Sequence, residues 1–205
     1  MKKLVVLIVF ILFVFHSAEA AKKIEGYIYH SDNRKEKVTF LIPFGFLSSE
    51  PSYANLQRQI KYLVGKEKVA LRADDVKEIS FMLKGKEIRM RSVYDNLQQG
   101  WSSSSFIFLK LEVDGPVSLY HYYSTTTTPG IYTGGMMTGG TTSTTDRLVL
   151  QRDNGELIRP RALFFRKDMA DFFADCPELV KKIDARILVK SELEVIVKEY
   201  NTKCL

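Results

Sequence analysis

The sequence predicts an α+β protein: a mainly antiparallel β-sheet of hairpins in a meander, or one curled towards a barrel or sandwich, with a C-terminal helical pair. Three observations carry that expectation. Short β-branched and aromatic runs recur from Ile24 to about Arg159, each bounded by polar residues. The intervening turns, such as Asp114-Gly115 and Asp153-Asn154-Gly155, are of the kinds that join antiparallel neighbours. From Lys167 the apolar period lengthens from two to about 3.6 residues and helix-start signals appear.

Residues 1–20 stand apart from that plan. Lys2 and Lys3 precede an unbroken apolar run, Leu4 to Phe15, and Ala18-Glu19-Ala20 has the small-x-small form of a cleavage site. This is the pattern of a secretory signal peptide. The run is shorter than the roughly 20 residues that cross a bilayer as a helix, so a retained anchor is the weaker reading. No Cys follows it, which disfavours a lipoprotein signal. The expectation is an exported, periplasmic or secreted chain that begins at Ala21 and contains no transmembrane helix. Its layout would be an antiparallel β domain over 21–165 and a helical segment over 166–205 docked on the sheet.

Ile24 to His30 and Val38 to Ile42 flank the polar stretch Ser31 to Lys37 and predict a first hairpin, which Pro43 ends. Phe44 to Tyr53 carries Gly, Pro and Ser and reads as a loop. Leu56 to Val64 fits either period; the Gly65-Lys66 turn and the run Lys68 to Leu71 favour a strand that turns back. Ala73 to Val76 reads as a turn. Ile79 to Leu83 and Glu87 to Val93 flank Lys84-Gly85-Lys86 and predict a half-buried hairpin with a basic outer face. A polar connector, Asp95 to Ser105, holds the sole tryptophan, Trp101.

The densest apolar segment follows. Phe106 to Val113 reads as a central strand interrupted only by Lys110 and Glu112, and Asp114-Gly115 turns it into a second strand starting near Pro116. On that strand Val117, Leu119 and His121 share one face, and Tyr120 and Tyr122 the other. The tract 124–145 is dominated by Thr and Gly, with Ile131, Tyr132, Met136 and Met137 as its large apolar residues. A loop this long is usually either functional or disordered. It reads first as disordered; the alternative is that its Thr runs extend the flanking strands as an exposed ribbon with a Met-Met tip. Leu148 to Gln151 then resumes a strand, and Glu156 to Arg159 returns.

At the C-terminal end Asp168 to Ala174 predicts a short helix. Asp175-Cys176-Pro177-Glu178 and Ser191 to Glu194 are helix-start patterns for two more, with apolar stripes at Leu179, Val180, Ile183 and Ile187, and at Leu193, Ile196, Val197 and Tyr200. If these two pack antiparallel, Cys176 and Cys204 meet. A disulfide there contributes about 3–4 kcal/mol on the loop-entropy argument.

Charge and motifs exclude more than they identify. The formal charge is +6, and +5 without residues 1–20; no block of five like charges occurs, so nucleic acid is not an expected partner. Only His30 and His121 lie beyond residue 20. There is no G-x-S-x-G, H-E-x-x-H, C-x-x-C or P-loop, and no cofactor or metal site is expected. Serines 102–105 lack an identifiable base, and Asp74-Asp75 reads as a solvated turn. The candidate binding residues are Trp101, His121, Tyr132, Met136 and Met137.

The chain also resembles a group of uncharacterised exported proteins of Bacteroidota. The likeness is carried by Gly26-Tyr27-Ile28, Asp75-Val76-Lys77-Glu78 and Asp114-Gly115-Pro116-Val117-Ser118-Leu119-Tyr120. It continues in Asp175-Cys176-Pro177-Glu178-Leu179 and in Lys198-Glu199-Tyr200-Asn201-Thr202-Lys203-Cys204. The resemblance implies an envelope or secreted location and brings no activity with it; the long Thr/Gly tract departs from it. The expected function is a non-catalytic binding or scaffolding domain whose partner is an envelope protein or surface. The alternative is an envelope hydrolase with a site near His121 and the Ser/Thr-rich loops.

Overall fold

The structure is a computed structural model that describes residues 21–45, 48–97, 106–130, 132–133, 136–137 and 139–204. The described strands are β1 (Lys22–Tyr29), β2 (Lys35–Ile42), β3 (Ile60–Val64), β4 (Glu67–Leu71), β5 (Glu78–Leu83), β6 (Lys86–Tyr94), β7 (Phe106–Val113), β8 (Val117–Thr128), β9 (Tyr132–Thr133), β10 (Met136–Met137), β11 (Thr141–Arg152) and β12 (Leu157–Ile158). Ten of these form one sheet in the order β12-β11-β8-β7-β6-β5-β1-β2-β3-β4, every pairing antiparallel, and β9 pairs with β10 separately. The sheet is open, with β12 and β4 at its edges, rather than closed into a barrel or folded into a sandwich. Helices α1 (Tyr53–Arg58), α2 (Phe165–Phe172), α3 (Pro177–Asp184) and α4 (Leu193–Lys203) complete the fold. No described helix is long and apolar enough to cross a membrane.

The two-residue period builds this sheet as expected. Ile28, Phe40, Ile79, Phe81, Met90 and Phe108 share one face over the β1–β7 half and are buried with Leu56, Ile60, Leu71, Ala73 and Val76. The last five reach that core because β3, the edge strand β4, α1 and a 3₁₀ turn at Ala73–Asp75 fold across it. Ser92 Oγ donates to the Ala73 carbonyl at 2.5 Å, tying the turn to β6. Gly26 makes room in β1: a Cβ there would stand 2.2 Å from the Ser80 carbonyl oxygen and 2.8 Å from the Phe40 ring.

Over the β8–β11 half the same face carries the helices. Val113, Val117, Leu119 and Leu150 pack against Phe165, Met169, Phe173, Leu179, Ile183, Ile196, Val197 and Tyr200. Arg152, at the end of β11, docks the helices. Its guanidinium donates to Asp175 Oδ2 at 2.6 Å, to the Tyr200 hydroxyl at 2.8 Å and to the Phe172 carbonyl at 2.6 Å. The Cys176–Cys204 disulfide joins the start of α3 to the end of α4, with Cα atoms 5.5 Å apart, as the antiparallel packing predicted. The opposite face buries Val93, Ile107, Leu109, Tyr120, Tyr122, Val149 and Leu157.

Several expectations are corrected. Leu56 lies in α1, not in a strand: its side chain and that of Gln57 are buried there, and β3 starts only at Ile60. The tract 124–145 is not a disordered loop in its flanks: β8 runs on to Thr128 and β11 begins at Thr141, so the ribbon alternative describes it. Asp175 does not cap α3, since its carboxylate is taken by Arg152 and Tyr200. The last helix is entered through a 3₁₀ turn, where Glu192 accepts from the Val189 N–H, while Glu194 pairs with Lys198.

Candidate functional site

His121 sits where the ribbon leaves the sheet, on the face shared by α1 and the C-terminal helices. The strand period puts it in line with Leu119 and Tyr123. A β-bulge between Leu111 and Val113 turns both Glu112 and Val113 to that face. Val113 enters the core, and Glu112 Oε2 reaches His121 Nε2 at 3.2 Å. Across β11, Asp146 Oδ2 lies 2.9 Å from His121 Nδ1. Lys110, directly opposite His121, stands 3.5 Å from Glu112.

Aromatic rings close the site on the ribbon side. The His121 and Tyr123 rings stack at 6.2 Å, and Tyr123 stacks on Tyr53 of α1 at 5.5 Å. Lys110 Nζ lies 5.5 Å from the Tyr53 ring. Burial, then the Asp146 carboxylate, hold the Tyr123 phenol well above the usual tyrosine range. Burial likewise pushes Tyr53 up to about 12, with the Glu50 and Glu112 carboxylates adding to it. Gln57 fixes α1 against this strand. Its amide accepts from the Tyr123 N–H at 2.8 Å and donates to the Tyr123 carbonyl at 3.0 Å, as a neighbouring strand would.

This geometry constrains the chemistry. A histidine acting as general base must offer a ring nitrogen to a hydroxyl, whereas both nitrogens of His121 face carboxylates. The two carboxylates lie on opposite sides of the ring and do not converge on one point. Among the described residues no three His, Cys, Asp or Glu side chains are grouped to hold a metal ion. What the cluster does is clasp β7, β8 and β11 together beneath the ribbon.

The ribbon itself pairs Thr125 with Thr144 and Thr127 with Thr142, their hydroxyls 3.4 Å apart, and is exposed from Thr126 outward. Beyond it, β9 and β10 form a two-residue ladder, Tyr132 with Met137 and Thr133 with Met136. The side chains of Tyr132, Met136 and Met137 lie outside the described residues, as do Trp101 and serines 102–105. On its outer side β11 is covered by β12 only at Leu150 and Gln151. Beside the uncovered part is a cleft of about 650 Å³ lined by Asp146, Arg147, Leu148, Arg159, Pro160, Leu163, Phe164 and Leu193.

The opposite face carries a second polar cluster that is internally satisfied. Arg89 binds Glu78 at 2.6 Å and Asp114 at 2.8 Å; Arg91 binds Asp114 at 2.9 Å, Glu78 at 3.2 Å and the Ser118 hydroxyl at 3.3 Å. Burial alone would raise the Asp114 carboxyl, but the two guanidiniums outweigh it and hold it below the usual range. The expected basic outer face of β6 is therefore neutralised, and the network fixes the β7–β8 turn. Asp74 is an exposed partner of Arg72, consistent with a solvated turn.

Of the expected site residues, the structure places His121 in a built cluster and joins Cys176 to Cys204. Sequence reading missed Glu112 and Asp146 as its partners, and Tyr53 as the ring stacked on Tyr123. The polar alternation Lys110, Glu112 across a hairpin from His121 was the available signal; Asp146 was hidden at the end of the Thr tract. No family model, no curated protein and no solved structure matches this chain.

Proposed function

We propose that this chain is an exported cell-envelope protein, as its resemblance to exported Bacteroidota proteins implies, and that it works as a non-catalytic binding or scaffolding domain. The observation that carries the reading is the ribbon: β8 and β11 continue as a paired, exposed arm that no core requires, clasped to the sheet by the His121 cluster. Such an arm on a rigid sheet presents a surface. Two further features agree with export. The leader pattern of residues 1–20 is that of secretion, and disulfides such as Cys176–Cys204 persist in oxidising compartments.

The hydrolase alternative would need His121 to release Asp146 or Glu112 and turn to a hydroxyl, which the clasp disfavours. Two measurements test the proposal. Fractionation with N-terminal sequencing should find the protein in the envelope or medium, beginning at Ala21; an uncleaved cytoplasmic protein contradicts export. Hydrolysis of ester, amide and glycoside substrates by the purified protein should not exceed that of the His121→Asn variant; turnover lost in that variant would make it an enzyme.

A further inference from the structure

We infer that the free edge of β11 and the cleft beside it form a docking groove for an extended, acidic peptide segment of another protein, which adds to the sheet as a strand. The inference rests on the reading as a binding domain and specifies the chemistry of its partner. From Thr141 to Val149 the outer edge of β11 has no strand partner among the described residues, and alternate backbone groups there face away from β8. Exposed edges are normally blunted by Lys, Pro or a bulge. This stretch contains no Lys or Pro, its only charges are Asp146, engaged by His121, and Arg147, and its register with β8 is continuous.

The cleft adds an anchor site. It opens beside Asp146, Arg147 and Leu148, and its apolar walls are left to solvent: Leu163 is 93 % exposed and Phe164 51 %, although Pro160, which also lines it, is buried. Strand addition combines backbone pairing with pockets for alternate side chains, and this cleft offers such a pocket next to the edge. Charge selects the flanks. Arg161 is neutralised by Asp168 and Asp146 is engaged by His121, whereas Arg147, Arg159 and Lys190 at the rim form no ion pair among the described residues. A second copy paired edge to edge would bring these cations together, and a lipid surface would leave the backbone groups unused.

The test uses the folded protein without residues 1–20, its backbone amides followed by nuclear magnetic resonance. Three synthetic probes are compared: an eight-residue peptide alternating Thr with Val or Leu and ending in Glu, its Lys-ended counterpart, and a Glu-ended form N-methylated at alternate amides. The Glu-ended peptide should shift the amides of Thr141–Val149 and Leu163. The Lys-ended peptide should bind on the order of tenfold more weakly, the N-methylated one should not bind, and Leu163→Asp should lose affinity for the Glu-ended peptide while keeping the fold. Equal binding of the Lys-ended peptide, or binding that survives N-methylation, overturns the inference. So does a response of these amides to anionic phosphatidylglycerol vesicles or to protein concentration alone, without a response to the peptide. A photo-crosslinker at Leu163 or Thr127 in intact cells separates the two claims. A crosslinked protein without peptide binding removes the acidic strand and leaves the binding domain, whereas no crosslink from either position removes both.

Discussion

Among the described residues Gln57, Asn96 and Asn201 use their side-chain amides as substitute strands, each bonding both the N–H and the carbonyl of one residue: Tyr123, Leu157 and Val117 respectively. Val117 is fully buried, so Asn201→Ala leaves two buried backbone groups unpaired and should cost about 1–3 kcal/mol, read as a lower urea midpoint at unchanged slope. Gly115→Ala should cost a similar amount, since its Cβ would stand 2.3 Å from the Asn201 amide nitrogen and displace it. Gly26→Ala should be worse tolerated, by about 3 kcal/mol, and Phe40→Leu should not rescue it because the tightest contact is the Ser80 backbone oxygen. None of the three amide pairs was legible in the sequence, because their partners lie 66, 61 and 84 residues away and an isolated Asn or Gln carries no periodic signal. The strand faces were legible, because one side of each strand is buried and the period of two records it.

The ionisable contacts at this scale give two pH limits. The Arg152 guanidinium, then the Tyr200 hydroxyl, hold the Asp175 carboxyl at about 2 against an ordinary 3.8. A depressed carboxyl contributes stability that is present above its unfolded value and lost as pH falls through the folded one. Stability should therefore decline between about pH 4 and pH 2, and Asp175→Asn should flatten that part of the profile. Tyr53 has the opposite sign. Its raised value means its contribution is present below about pH 10 and lost as pH rises through about 12. In an ultraviolet titration Tyr53→Phe should remove part of the late phenolate rise.

At the scale of elements, the C-terminal helices are held by the disulfide and by Arg152 together. Replacing both Cys176 and Cys204 by Ser should lower stability by about 3–4 kcal/mol, with Leu193, Ile196 and Val197 still packed on β8 and β11 in the folded fraction. The hairpins β5–β6 and β7–β8 were readable because Gly or Asp-Gly marks each turn. Helix α1 was not, because six residues at ambiguous spacing give too little period, and its helical state is decided by Leu56 and Gln57 turning onto β7 and β8. The Thr ribbon is also poorly legible in the sequence. Thr and Gly composition resembles disorder, whereas Thr is a strand former once a partner such as β8 is continued beside it.

At the scale of the whole molecule, a continuous ten-stranded antiparallel sheet buries one face under the helices and edge elements and part of the other over β6–β11, and leaves its surplus structure at one end: the ribbon, the open edge of β11 and the apolar cleft. The His121 clasp joins that end to the core, and on the proposed reading as a binding domain the partner is met at the far end of β8 and β11. The most direct test is affinity capture from the envelope of the cells that express the protein, comparing the intact chain with one in which Thr125 to Thr145 is replaced by a short turn that keeps His121. The account predicts a partner retained by the intact chain and lost from the shortened one, with both equally folded. Recovery of the same partner by the shortened chain, or of none by the intact one, would contradict it.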